Sequence, residues 1–176
     1  MQDIDYQKRA LRREVKARKK GIPEADKRAR SKALFTQLAH KTVFKQASVV
    51  MAYWSMADEV YTHDFVESWY VQKTILLPVV AGDELLLRLF EGREAMQAGA
   101  RYGIPEPAGS VWNKLERIDL IIVPGVAFDT NNNRMGRGKA YYDKLLRHTN
   151  AYKAGVCFNE QLFSKVPHDA WDIRMD

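Results

Sequence analysis

The chain has 176 residues, with 28 Lys and Arg against 22 Asp and Glu, a net charge of +6 and one cysteine. That length suits a single domain over residues 1–176, burying about 70% of the unfolded chain's surface around one core. No apolar run reaches the ~20 residues of a membrane span, and the charged N-terminus lacks a signal-peptide apolar segment. A lone cysteine, Cys157, excludes internal disulfides and two-cysteine metal clips. A cytoplasmic monomer without membrane partners is therefore the expectation.

In chain order, residues 4–20 read as a helix with Ile4, Leu11 and Val15 on one stripe. Pro23 stands where a second helix begins, with Ala29, Ala33, Leu34 and Leu38 as its apolar face. Residues 47–54 form a strand candidate. Thr62 is placed to cap a helix over residues 65–71. Strands are expected over 74–80 and 84–90, and Pro105 and Pro107 mark an irregular stretch. Residues 118–123, a loop, a helix to about Arg147 and a strand over 152–158 complete the alternation. Cys157, beside Val156 and Phe158, reads as a small buried hydrophobe. Short apolar runs alternating with helices predict an α/β fold, with a mostly parallel central sheet and helices on both faces. Ligands of such sheets collect at the carboxyl ends of the strands.

The most informative segment follows the apolar run Leu120-Ile121-Ile122-Val123. It reads Pro124-Gly125-Val126-Ala127-Phe128-Asp129, then Arg134-Met135-Gly136-Arg137-Gly138-Lys139-Ala140-Tyr141-Tyr142-Asp143. Strand, glycine loop with three cations, then helix start is a layout for holding phosphates. Glycine admits an anion close to the backbone, and helix N–H groups face it. The segment is not a Walker A loop, because Ala140 follows Gly138-Lys139 where Ser or Thr would ligate magnesium. Nor is it a dinucleotide fingerprint, since Tyr141 occupies the third glycine position. From residue chemistry alone, the nucleotide end of an ATP-consuming site and a solvated surface turn both remain open.

The charge is uneven. Residues 1–32 hold twelve Lys/Arg and five Asp/Glu, a balance of +7, whereas the remainder holds sixteen and seventeen, a balance of −1. A basic arm of this kind could bind nucleic acid or form the solvated face of two helices. Pro23, Glu24 and Asp26 interrupt the charge, and no aromatic-basic interleaving suited to base stacking occurs there. Lys8 and Arg12, spaced i and i+4, share a helical face and can converge on one anion. No nucleic-acid partner is expected. The histidines, His40, His63, His148 and His168, have no metal or catalytic spacing and read mostly as surface residues.

The Pro124–Asp129 and Arg134–Asp143 blocks closely resemble the signature of 5-formyltetrahydrofolate cyclo-ligases, also called methenyltetrahydrofolate synthetases. Further blocks match in family order. They are Lys8-Arg9-Ala10-Leu11-Arg12, Ser55-Met56-Ala57-Asp58-Glu59-Val60, Leu77-Pro78, Gly103-Ile104-Pro105-Glu106-Pro107 and Asp172-Ile173-Arg174-Met175-Asp176. The resemblance implies ATP- and magnesium-dependent cyclisation of 5-formyltetrahydrofolate to 5,10-methenyltetrahydrofolate, with release of ADP and phosphate. It implies nucleotide contacts at Lys8, Arg9, Ala10, Leu11 and Arg12, and at Arg134, Met135, Gly136, Arg137, Gly138, Lys139, Ala140, Tyr141 and Tyr142. Arg137 and Lys139 fall beside the transferring phosphate. Arg12, Met56, Glu59, Tyr61 and Tyr141 would meet the folate, with Trp54 a further surface for the flat pterin. Asp143 and Asp172 match magnesium contacts, although Asp143 also suits the first turn of a helix through the macrodipole.

The chain departs from the family pattern in three places. Tyr61 stands where the family often carries an acid, Ala140 replaces a third glycine, and the chain stops before a further strand-like stretch. Two other readings keep part of the picture. A kinase for a small anionic metabolite would retain the Arg134–Asp143 loop, and a nucleic-acid binder would use only the basic helices.

Overall fold

The computed structural model describes residues 3–99 and 103–176. Helix α1 covers Ile4–Lys20 and α2 covers Glu24–His40. The short α3, Thr42–Gln46, leads into strand β1, Val49–Met51, and α4 follows at His63–Trp69. Strands β2, Thr74–Ala81, and β3, Glu84–Leu89, form a hairpin. After two-residue strands β4, Met96–Gln97, and β5, Glu106–Pro107, comes β6, Leu120–Pro124. The chain then forms β7, Ala127–Asp129, β8, Arg134–Met135, and α5, Tyr141–Leu146. It ends with β9, Tyr152–Val156, and β10, Leu162–Phe163.

The central sheet has the order β3-β2-β1-β6-β9, and only β3 runs antiparallel to its neighbour. Side chains alternate across it, as the pleat requires. Val50, Ile75, Leu77, Leu120 and Ile122 face one layer, where Phe35, Phe44, Phe65 and Val66 of the first helices pack. Met51, Leu76, Ile121 and Val123 face the other, against Leu145 and Leu146 of α5. Both faces of the sheet are buried, so its parallel strands read as continuous apolar runs. From β1 the chain steps to β2 on one side, whereas β6 and β9 lie on the other. The junction of β1 and β6 is thus a topological switch point, where the crevice at the strand ends opens.

Several sequence expectations need correction. Ala29 and Ala33 are exposed, and α2 instead buries Ser31 and Phe35. The strand expected over 47–54 is cut to Val49–Met51: Ala52 N–H still donates to the Leu76 carbonyl, but from Tyr53 the chain leaves the sheet to line the crevice. Helix α4 ends at Trp69, before Val71. Thr62 precedes it but makes no cap bond; its hydroxyl turns inward to the Tyr53 carbonyl. The stretch expected as one loop after β6 contains the β7–β8 hairpin, with β10 pairing β7 in a second, three-stranded sheet. Asp129 explains that hairpin. Its Oδ1 accepts the N–H groups of Asn131 and Asn133 at 2.9 and 3.0 Å, and Asn132 takes φ 63°, which asparagine tolerates. A third core, of Leu11, Val15, Ala127, Met135 and Val166, fastens α1 onto this small sheet.

Candidate active site

A cleft of about 610 Å³ opens at the switch point. Its first wall follows β1. Here Ser55 and Thr62 exchange bonds, Ser55 N–H donating to the Thr62 hydroxyl and Thr62 N–H to the Ser55 hydroxyl, both at 3.1 Å. Tyr53 donates to the Val60 carbonyl at 3.0 Å, and Glu59 Oε2 accepts the Met56 N–H at 3.0 Å. These local bonds close a rigid turn that presents Trp54, Met56 and Glu59 to the cleft. Trp54 stacks on His63 with ring centroids 3.8 Å apart. His63 is therefore half-buried rather than a surface residue, and burial lowers its pKa. Leu77, Pro78, Ile104 and Pro105 extend this wall as an apolar surface.

The second wall is the Arg134–Asp143 segment, and distant residues hold it. Arg134 is only 4% exposed. It donates Nη2 to Asp143 Oδ2 at 2.8 Å and Nη1 to the Pro124 carbonyl at 3.2 Å, while its buried Nε has no partner. Arg12 of α1 donates Nε to the Gly136 carbonyl at 3.1 Å. Gly138 has φ 98°, and a Cβ there would lie 3.3 Å from the Arg12 guanidinium, so glycine suits both the conformation and the contact. Arg137 crosses the cleft to Asp58 Oδ1 at 2.7 Å and Glu59 Oε1 at 3.1 Å. Lys139 is exposed on the same rim. Phe128 packs so close to Gly125 that a Cβ there would lie 2.5 Å from its ring, which brings the loop down onto the end of β6.

The C-terminal segment closes one end. Lys8 donates to Asp169 and Asp172 at 2.7 and 2.6 Å. Burial alone would lower the Lys8 pKa, but the two carboxylates raise it, and Asp172 in turn is held below the usual carboxylate range. Ile173 N–H donates to Asp143 Oδ1 at 3.1 Å. Burial pushes the phenol of Tyr142, which also lines the cleft, upward.

Most sequence-predicted site residues meet here. Lys8, Arg12, Met56, Glu59, Asp172 and the whole of Arg134–Asp143 line the cleft. Four do not. Arg9 points to solvent, Ala10 lies off the lining, and Leu11 belongs to the third core, because a helix can turn only one face to the site. Tyr61 is drawn away by Arg28, whose guanidinium sits 3.6 Å over its ring. Met135 and Tyr142 serve both cleft and core. Cys157 is half-buried, just past β9, and burial pushes its thiol up to about 11. Sequence reasoning missed Asp58, Asp169, Arg147 and Trp171. None carries a local pattern, and each acquires its place only through chain-distant contacts.

The carboxylates at this end of the cleft suit magnesium. Asp143 accepts from Arg134 through one oxygen and from Ile173 N–H through the other, which leaves each oxygen a further lone pair. Asp172, with Asp169 beside it, also fits a metal that arrives on phosphate oxygens. No group of three or more His, Cys, Asp or Glu among the described residues could hold a metal alone.

An α/β chain with a cleft at its topological switch point, cationic on one wall and apolar on the other, has the build of an enzyme. Comparison with known proteins makes the class specific. The model of the 5-formyltetrahydrofolate cyclo-ligase family matches residues 4–176. The mouse 5-formyltetrahydrofolate cyclo-ligase is 30% identical over 190 residues, covering 98% of this chain and 93% of that protein. The Escherichia coli K12 enzyme of the same name is 34% identical over 137 residues, or 72% and 74% of the two chains. Among solved structures, Aquifex aeolicus 5,10-methenyltetrahydrofolate synthetase superposes with a TM-score of 0.86 at 35% identity, covering 96% of this chain and 87% of that one. The chain belongs to the 5-formyltetrahydrofolate cyclo-ligase family, a family of ligases. Among the described residues, no helix is long and apolar enough to cross a membrane.

Proposed function

We propose that the protein converts 5-formyltetrahydrofolate to 5,10-methenyltetrahydrofolate while splitting ATP to ADP and phosphate. The observation that carries this reading is the family match over residues 4–176, together with a cationic wall facing an apolar one. The formyl oxygen of an amide is a poor leaving group. Transfer of the γ-phosphoryl group breaks its bond to ADP and forms a P–O bond to that oxygen. The second folate nitrogen then attacks the formyl carbon, the C–O bond breaks, and phosphate departs with that nitrogen's proton.

Phosphoryl transfer depends mainly on positioning and charge stabilisation. Arg137 and Lys139 meet the transferring group, while Lys8, Arg12 and Arg134 hold the remaining phosphates. Arg137 exchanges its carboxylate partners for phosphate as the nucleotide enters. Met56, Glu59 and Tyr141 border the folate, with the edge of Trp54 beside them. Magnesium, held by Asp143 and Asp172, would neutralise phosphate charge when bound.

A spectrophotometric assay with 5-formyltetrahydrofolate, ATP and magnesium, each omitted in turn, tests the proposal. The extended conjugation of the product should generate a new absorbance band only in the complete mixture. A band that grows without ATP, or no band at all, overturns it.

A further inference from the structure

The turn 169–173 at the end of the cleft presents Trp171, whose exposure of 71% is unusual for so large an apolar side chain. Trp171 lines the cleft, yet no ring or cation–π contact among the described residues involves it. Its backbone, in contrast, is tightly held. Arg147 donates to the Trp171 carbonyl at 2.8 Å, and Asp169 N–H donates to Asp172 Oδ2 at 2.8 Å. Lys8 joins both carboxylates, and Ile173 N–H is tied to Asp143. The backbone that carries this wide π face is thus held at a fixed place beside the cationic wall. Binding there need order only the side chain, because the turn is already immobilised. Lys8 bridges the acids on either side and offsets one of their two charges.

We propose that Trp171 is the platform on which the purine base of the nucleotide stacks, and that it gives the site its preference for a base over bare phosphate. This rests on the ATP reading above. The opposite wall already has Trp54 and an apolar lining for the pterin, whereas Trp171 lines the cleft next in sequence to Asp172, the partner of the phosphate-holding Lys8. Stacking on tryptophan is tolerant of base identity, so discrimination among purines should be weak.

The test compares the binding of a non-hydrolysable ATP analogue and of inorganic tripolyphosphate to the wild type, Trp171→Ala and Trp171→Phe, by calorimetry. Because Trp171 is so exposed, neither substitution touches the core. In Trp171→Ala the analogue should bind about tenfold more weakly, with tripolyphosphate unchanged, and Trp171→Phe should recover most of the loss. Turnover should show the same loss as a raised KM for ATP, with the KM for folate unchanged. Equal losses for both ligands, no loss for either, or a rise confined to the folate KM overturns the platform. Wild-type binding that favours the analogue, combined with inactivity toward 5-formyltetrahydrofolate, leaves the platform standing and removes the folate assignment.

Discussion

The two walls of the cleft are built by opposite means. The wall after β1 is mostly local: Ser55, Thr62, Tyr53, Val60, Met56 and Glu59 bond to one another within ten residues of sequence, and Lys19, Lys27 and Ser31 add bonds from the first two helices. The wall after β6 is assembled from afar. Its arginines reach Asp143, Pro124 and the turn at Asp58, and its glycine loop is braced by Arg12 from the first helix. The local wall owes most of its shape to these short-range bonds. The cationic wall exists only once the helices, both sheets and the C-terminal segment are in place.

Removing Arg134 should break the imported wall most severely. Arg134→Ala leaves a buried carboxylate at Asp143 uncompensated, a loss of about 3–5 kcal/mol. Chemical denaturation measures it, and a cost under about 1 kcal/mol would mean that the wall stands without its ion pair. Arg137 sharpens the contrast from the functional side. Arg137→Ala should lower turnover about a hundredfold, with the KM for folate within about twofold, because charge stabilisation is lost while the opposite wall is intact. Unchanged turnover would place the phosphate elsewhere.

The local wall should yield a smaller effect. Thr62→Val removes the hydroxyl that serves Ser55 N–H and the Tyr53 carbonyl, leaving both buried groups unpaired, and should cost about 2 kcal/mol in thermal unfolding. A cost below about 0.5 kcal/mol would show that the turn does not depend on this exchange. The smallest effect runs the other way. Ala140 has φ 55°, so Ala140→Gly should stabilise the fold by about 1 kcal/mol. A destabilised variant would mean that the methyl group contributes packing that outweighs the strain.

Legibility in the sequence followed the same division. The helix over residues 4–20 and the strands over 74–80 and 84–90 were readable because periodicity is local, and the structure places them within a residue. The Arg134–Asp143 loop was readable as phosphate-binding chemistry because glycines and cations are adjacent there. The β7–β8 hairpin inside the expected loop was not. It depends on one aspartate folding back on Asn131 and Asn133 and on a distant strand at Leu162.

The sequence alone determined the alternation of elements, the position of the glycine loop and the family, since spacing and residue type along the chain carry all three. Only tertiary structure decided which charges meet. It paired Asp143 with Arg134, and drew Tyr61 under Arg28 and out of the cleft. It also set Lys8 between Asp169 and Asp172, more than 160 positions away. Ion pairing is decided by distance in space and by burial, and neither is written in the local order of residues.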